Sequence, residues 1–361
     1  MPPPPQPGYL AGMFGGGGGA LVFFKYFADN SVMKRTFFSA GFFKMPCFFV
    51  LFLFFAAGNA AGFERLFPAA YFVDFARTLE ERNAARPYWA ASEEEFLAHA
   101  DSLQGSILLN YYILAYYGHP LSRNMGVLGR YPKPELRQRL INLAAQYREF
   151  AGNRGVRIAF YIIFGTVWPE GEIGYIQESV LREWIHFALE HDMLVFIDHQ
   201  IGRFTPELAM RRMLPWLRYP NVHLAIDPEW RTDRPMLEIG TVSAAELNHI
   251  QQIMEDYIIE NNLPGERLFV VHQFNWRMIS EPRNVDTRRF TRVRLVHNIS
   301  GIGTPTEKRA TYAFGAQFTN MPVKGFKLWY DFGIVGHTDV PLMAPQEVMS
   351  LNPRPYVIMY Q

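Results

Sequence analysis

From Ser106 onward, short apolar runs alternate with longer stretches in which apolar residues recur every three or four positions. The short runs, at 107–115, 157–164, 194–198, 222–227, 268–272, 293–298, 326–330 and 356–360, read as strands. Most are apolar almost throughout rather than at alternate positions, as expected of strands covered on both faces. Helical periods fall between them at 134–151, 176–191, 206–217, 244–261, 306–318 and 345–351. The fifth connection is poorer, with only a short helical turn predicted around 276–279.

Eight strands separated by helices over residues 106–361 match the size and rhythm of a closed parallel barrel, so the predicted class is α/β and the predicted architecture a (β/α)8 TIM barrel. An open doubly wound sheet would place a glycine-rich phosphate loop after its first strand. Tyr116-Tyr117-Gly118-His119-Pro120 stands there instead. No helical period follows the last strand. Two helical patterns at 72–82 and 92–101, the second opened by a Ser92/Glu95 capping box, are expected to cover the outer face of the first and eighth strands.

The first 60 residues have another composition. Proline and then glycine dominate residues 1–20, followed by the basic Met33-Lys34-Arg35, an apolar run over 37–57 and the small Gly58-Asn59-Ala60. That order is expected of a secretory signal peptide cut near Ala60, with translation starting at Met33; the alternative is an uncleaved membrane anchor. The predicted organisation is a leader over 1–60, a helical extension over 61–105 and the barrel over 106–361, located outside the cytoplasm as a secreted, periplasmic or cell-envelope protein. Cys47, the sole cysteine, lies inside the apolar run, so the exported part holds together by core packing without disulfides.

Composition narrows the partners. The chain is 49% hydrophobic and 16% aromatic with formal charge +1, too apolar for a disordered protein. Beyond residue 60, 31 basic side chains face 33 acidic ones, which gives no electrostatic reason to expect nucleic acid. The oligomeric state is not legible.

Polar residues gather at the predicted C-terminal ends of the strands, where a parallel barrel builds its mouth. They are Asp198-His199-Gln200, Asp227-Pro228-Glu229-Trp230, His272-Gln273, His297-Asn298, Trp329-Tyr330-Asp331 and Tyr360-Gln361, with His119 in the first loop. If the chain stays extended through Pro228, Asp227 and Glu229 point to the same side. Paired carboxylates of this kind suit glycosidic hydrolysis, with Glu229 as acid, Asp227 raising its pKa, and Asp198 or Asp331 as partner carboxylate. His272, Gln200, Gln273, Asn298, Trp230, Trp329, Tyr330, Tyr360 and His119 are the expected substrate-binding residues, for a glycan or another small polar substrate. Trp168, Trp276 and Tyr117 are further stacking surfaces, although packing is the ordinary role of any one of them.

Two alternatives stay open. Asp198, Asp227, Glu229 and His272, with His199 out of phase, supply the donors of a metal-dependent hydrolase, against which no H-x-H or H-E-x-x-H spacing occurs. A glycan-binding envelope protein without turnover is the other. No cofactor is expected. No G-x-S-x-G supports a nucleophilic serine, and Gly301/Gly303 with Thr304-Pro305 and Glu307 reads as a capped helix start rather than a phosphate nest. Lys327 is a Schiff-base or proton-transfer lysine if it points inward, and an ordinary snorkelling lysine if it points outward.

The segments F-I-D-H-Q at 196–200, A-I-D-P-E-W at 225–230, V-V-H-Q-F at 270–274, N-I-S-G-I-G-T-P at 298–305, G-F-K-L-W-Y at 325–330 and R-P-Y-V-I-M-Y-Q at 354–361 make residues 107–361 resemble a group of secreted or lipid-anchored bacterial TIM-barrel proteins. The resemblance implies an extracytoplasmic barrel and transfers no activity. Asp227-x-Glu229 also resembles the acidic fourth strand of barrel glycoside hydrolases, but Ala225 stands where the longer D-x-x-D-x-D-x-E run of chitinase-like enzymes needs an acid.

Overall fold

The computed structural model describes residues 106–333 and 337–361. The leader, the apolar run over 37–57 and the helical patterns before residue 105 lie outside the described residues. Eight parallel strands close a barrel: β1 (Tyr111–Gly118), β2 (Gly155–Val167), β4 (Leu194–His199), β5 (Val222–Ile226), β7 (Arg267–Gln273), β9 (Val293–Ile299), β10 (Lys324–Leu328) and β11 (Val357–Tyr360). Closure comes from β1, which pairs with β2 on one side and β11 on the other. Beyond the barrel, β3 (Ile173–Tyr175) folds back antiparallel on β2, and β6 (Val242–Ser243) pairs with β8 (Ile279–Ser280). The helices are α1 (Lys133–Arg148), α2 (Glu178–Glu190), α3 (Pro206–Met213), α4 (Ala244–Glu260), α5 (Pro305–Ala316) and α6 (Pro345–Met349).

Each strand and helix predicted within the described residues is present, with shifted ends. The first strand starts at Tyr111 rather than residue 107, because Ile107–Leu109 forms a 3-10 turn that Ser106 caps by accepting the Leu108 N–H at 3.2 Å. Its end moves correspondingly to Gly118, which brings Tyr117 into the strand. Helix α3 stops at Met213, since Pro215 offers no N–H to an α pattern and Leu214–Arg218 tightens into a 3-10 turn. Capping boxes start α4 (Ser243 with Glu246) and α5 (Thr304 with Glu307), the latter as the Thr-Pro-x-Glu spacing predicts.

Register decides which side chains face the barrel interior, because residues paired across parallel strands share a face. Lys327 pairs with Met359 and Met359 with Ala115; Gly325 pairs with Asn298, Asn298 with His272, and Asp198 with Ala225. Tyr117 pairs with Tyr161, and Tyr161 with Phe196, against which its ring stacks at 5.0 Å. These interior residues form an apolar and aromatic lower filling, topped by a polar layer near the C-terminal strand ends. The opposite phase faces the helices and carries much of the remaining core, such as Phe160 against Trp184 and Phe326 against Tyr312.

Candidate active site

Strand β5 is buried from Val222 to Ile226, and Asp227 is the first polar residue after it. The Asp227 N–H still bonds to His199 O at 3.1 Å, so the neighbouring strand fixes its position. The chain does not stay extended through Pro228: Pro228–Trp230 is a 3-10 turn with Asp227 as its cap. Proline has its φ set for such a turn, and Asp227 Oδ1 accepts the Glu229 N–H at 3.4 Å. Strand alternation therefore does not place Glu229. The turn does, and it leaves Glu229 and Trp230 half-buried above an Asp227 that is almost wholly buried.

Side chains from six strands meet below this turn. Tyr117 donates its hydroxyl hydrogen to Asp198 Oδ2 at 2.8 Å. His272 Nε2 lies 2.9 Å from the Tyr161 hydroxyl and 3.6 Å from Asp198 Oδ2. The Asn298 amide nitrogen is 3.0 Å from His272 Nδ1. Burial, with the nearby Lys327 charge, pushes the His272 pKa well below its ordinary value, so the ring is neutral and its approach to Asp198 is not an ion pair. Lys327 comes in from β10, its Nζ 3.7 Å from the centre of the Tyr117 ring and 4.3 Å from that of Trp329.

The carboxyl groups differ according to their surroundings. Desolvation raises Asp227 to about 6, opposed by Lys327 and by bonds from the Glu229 N–H and the Trp230 indole. Glu229 rises to about 8, first by desolvation and then by the Asp227 charge, with Lys327 opposing. Asp198, wholly buried, rises to about 7 by desolvation and the Asp227 charge, despite the Tyr117 bond and Lys327. Around neutral pH Asp227 is therefore the more readily ionised of the neighbours and Glu229 the one that keeps its proton.

Asp198, Asp227, Glu229, His272 and Asn298 thus come together, with Trp230 and Trp329 flanking them. Other expected site residues are held elsewhere. Gln273 lies in the outward phase, where its Oε1 is 2.7 Å from His297 Nε2 behind the barrel wall. Tyr360 also faces outward, its hydroxyl 2.7 Å from that of Tyr147 on α1, and Tyr330 stacks on it at 5.1 Å. Gln200 Oε1 accepts the Val167 N–H at 2.8 Å and pins the end of β2. His119 Nδ1 accepts the Leu121 N–H at 3.2 Å, closing its own loop. Asp331 is exposed and caps a turn by accepting the Gly333 N–H, so it is not part of the buried carboxyl group.

Gln273 and Tyr360 are in the outward phase, which the hydrophobic pattern does not mark because both faces of these strands are buried. Tyr161 was missed: it sits mid-strand in an apolar run, and its only sequence signal is a phenol in phase with Arg157. Tyr117 is no sugar platform, being almost wholly buried and bonded to Asp198. Trp168 and Trp276 are on the rim, 39% and 54% exposed, and remain able to stack on a ligand.

For a metal, the donor set is poor. Both ring nitrogens of His272 already have polar neighbours at hydrogen-bonding distance, His199 faces away with Nδ1 accepting the Ile201 N–H, and an ammonium stands among the carboxylates. Among the described residues no group of three or more His, Cys, Asp or Glu is arranged to hold a metal ion. A cavity of about 340 Å³, lined by Tyr111, Arg148, Arg157 and Asp192, begins at the N-terminal ends of β1 and β2 and is remote from this chemistry.

No family model matches the chain, and no curated protein matches it. Solved structures similar to it in fold include oxaloacetate acetylhydrolase in complex with the product oxalate, at 10% identity and TM-score 0.41, covering 73% of this chain and 78% of that one. A chitinase from Chromobacterium violaceum matches at 10% identity and TM-score 0.34, over 60% and 69% of the two chains. The GH18 chitinase ChiB from the chitin utilization locus of Flavobacterium johnsoniae matches at 9% and 0.33, over 70% and 87%. Likeness at this level assigns nothing to this chain. Among the described residues no helix is long and apolar enough to cross a membrane.

Proposed function

We propose that the barrel mouth hydrolyses a glycosidic bond, with Glu229 as the acid that protonates the leaving oxygen and Asp227 as the ionised group beneath it. One observation carries this reading: a single tight turn sets two carboxyls at different depths, Asp227 almost wholly buried and a half-buried Glu229 above it, where burial and the Asp227 charge both favour the protonated form of Glu229. Unequal neighbours of this kind are what acid-assisted cleavage of an acetal requires. Glu229 is half-buried and reaches incoming substrate, whereas Asp227 is held deeper by Trp230 and the His199 carbonyl.

Asp227 is two positions from the acid and poorly placed across the bond being broken. Its role is to support the positive charge that develops on the sugar ring. Asp198, at the floor, acts through Asp227 rather than on the substrate. Trp230 and Trp329 line the approach, and Trp168 and Trp276 provide rim surfaces for sugar rings. The composition of residues 33–60 supports action outside the cytoplasm, on an envelope or extracellular glycan.

The test is release of reducing ends from a panel of structural and storage polysaccharides and aryl glycosides. The wild-type protein is expected to release them, and Glu229→Gln to lose about 10² to 10⁴ in turnover with an unchanged circular dichroism spectrum. Retained turnover in that variant removes Glu229 from the acid role. Glycan binding without any release assigns the mouth to binding alone.

A further inference from the structure

Residues 106–361 contain four lysines, and three of them have evident structural work. Lys133 pairs with Glu183 on α2. Lys308 lies 2.9 Å from Asp339 Oδ2 and donates to Gly301 O and Lys327 O at 2.6 and 2.7 Å. Lys324 donates to Gly315 O and Phe318 O, at 2.8 and 3.1 Å, at the C-terminal end of α5. Lys327 differs: its side chain is 3% exposed, yet its Nζ has no hydrogen bond or ion pair with any described residue and lies against the Tyr117 and Trp329 rings.

An amine buried this deeply, with no hydrogen bond to a described residue, can use its lone pair once it is deprotonated. Two buried acceptors on the same inward phase are also left for a polar guest to satisfy. Asp198 Oδ1 on β4 and Asn298 Oδ1 on β9 are buried acceptors without a hydrogen-bond partner among the described residues, both on the inward phase of the barrel. Both can accept hydroxyl hydrogens. We propose that Lys327 is a covalent site for carbonyl compounds, its Nζ condensing with a small aldehyde or ketone, the open-chain form of a sugar included, to give an iminium ion inside the barrel mouth.

The chemistry balances with groups already present. The Nζ lone pair of the neutral amine attacks the carbonyl carbon, and the C=O π pair moves to oxygen, which takes a proton to give a carbinolamine. A second proton, from the Glu229 carboxyl, turns that hydroxyl into departing water as the nitrogen lone pair closes the C=N bond. An ionised carboxylate accepts the remaining N–H proton of the addition step. Nothing is oxidised or reduced, and one water leaves for each iminium formed.

The surroundings favour the product over the free neutral amine. An iminium is a cation, and Asp227, Asp198 and Glu229 all act on Nζ electrostatically in the direction that favours positive charge. The two aromatic faces do the same. Burial lowers the Lys327 pKa to about 8, so a useful fraction of neutral amine exists at mildly alkaline pH. This inference goes beyond glycosidic cleavage and does not need it.

Incubating the full chain with glyceraldehyde and sodium cyanoborohydride, followed by peptide mass mapping, tests it. The reduced adduct is expected on Lys327 at higher occupancy than on Lys133, rising with pH through about 8. That excess is expected to vanish when the same reaction is run on protein unfolded in urea. Occupancy at Lys327 equal to or below that at Lys133, or an excess that survives unfolding, overturns the assignment. The hydrolytic reading is judged separately, by reducing-end release.

Discussion

Glu229 and Asp227 are close in the chain, yet the half-buried glutamate holds its proton to about 8 and the better-bonded aspartate loses its own near 6. The active form in the proposed hydrolysis needs Asp227 ionised and Glu229 protonated. Activity should therefore rise with pH through about 6, as Asp227 loses its proton, and fall through about 8, as Glu229 does. A kcat/KM profile of the free enzyme checks both limbs. Lys327 holds both pKa values down, so Lys327→Met should move both limbs to higher pH. Limbs that stay in place would show that the ammonium does not act on these carboxyls. At this scale the sequence revealed the acids and their spacing, but not the 3-10 turn that separates their exposures.

Strand β10 shows what one element does with two similar residues. Lys324 faces outward, where it bonds to the α5 carbonyls and lies 3.1 Å from His297 Nδ1, whereas Lys327 faces inward and bonds to none. Lys324→Met strands those buried acceptors and should destabilise the fold by about 1–3 kcal/mol. Lys327→Met removes no hydrogen bond to a described residue and relieves the burial of a charge, so it should cost less stability than Lys324→Met. Urea denaturation of the two variants distinguishes them, and equal losses would contradict the assigned faces. Loop crossing gives another element-scale test. Gly202 has φ +68°, and a Cβ there would lie 2.2 Å from Gly171 O, backbone against backbone. Gly202→Ala should part the loops after β2 and β4 and lower stability by about 2 kcal/mol or more, measurable by the same denaturation.

For the whole molecule, the polar layer makes stability depend on pH. Asp198 titrates near 3.8 when unfolded and near 7 when folded, so the folded chain holds the proton more tightly between those values. Its stabilising contribution is complete below about 4 and is lost as pH rises through about 7. Asp227 and Glu229 add to the same trend, ending near 6 and 8. Measured against Asp198→Asn, the wild-type thermal midpoint should therefore be more favourable at pH 5 than at pH 8. A difference between the two proteins that is the same at both pH values would mean that Asp198 is not titrating as its burial requires.

Local patterns in the chain determined the eight strands, their order, the intervening helices and the acidic end of β5, because strand and helix periods, caps and proline stops are properties of near neighbours. Only the tertiary structure decided which side chains face inward. Strands covered on both faces carry apolar residues in both phases, so their hydrophobic pattern does not mark the interior. Barrel closure through the β1–β11 and β1–β2 pairings fixes that phase. It turns Lys327, Tyr161 and Asn298 into the mouth, and Gln273, Lys324 and Tyr360 toward the helices.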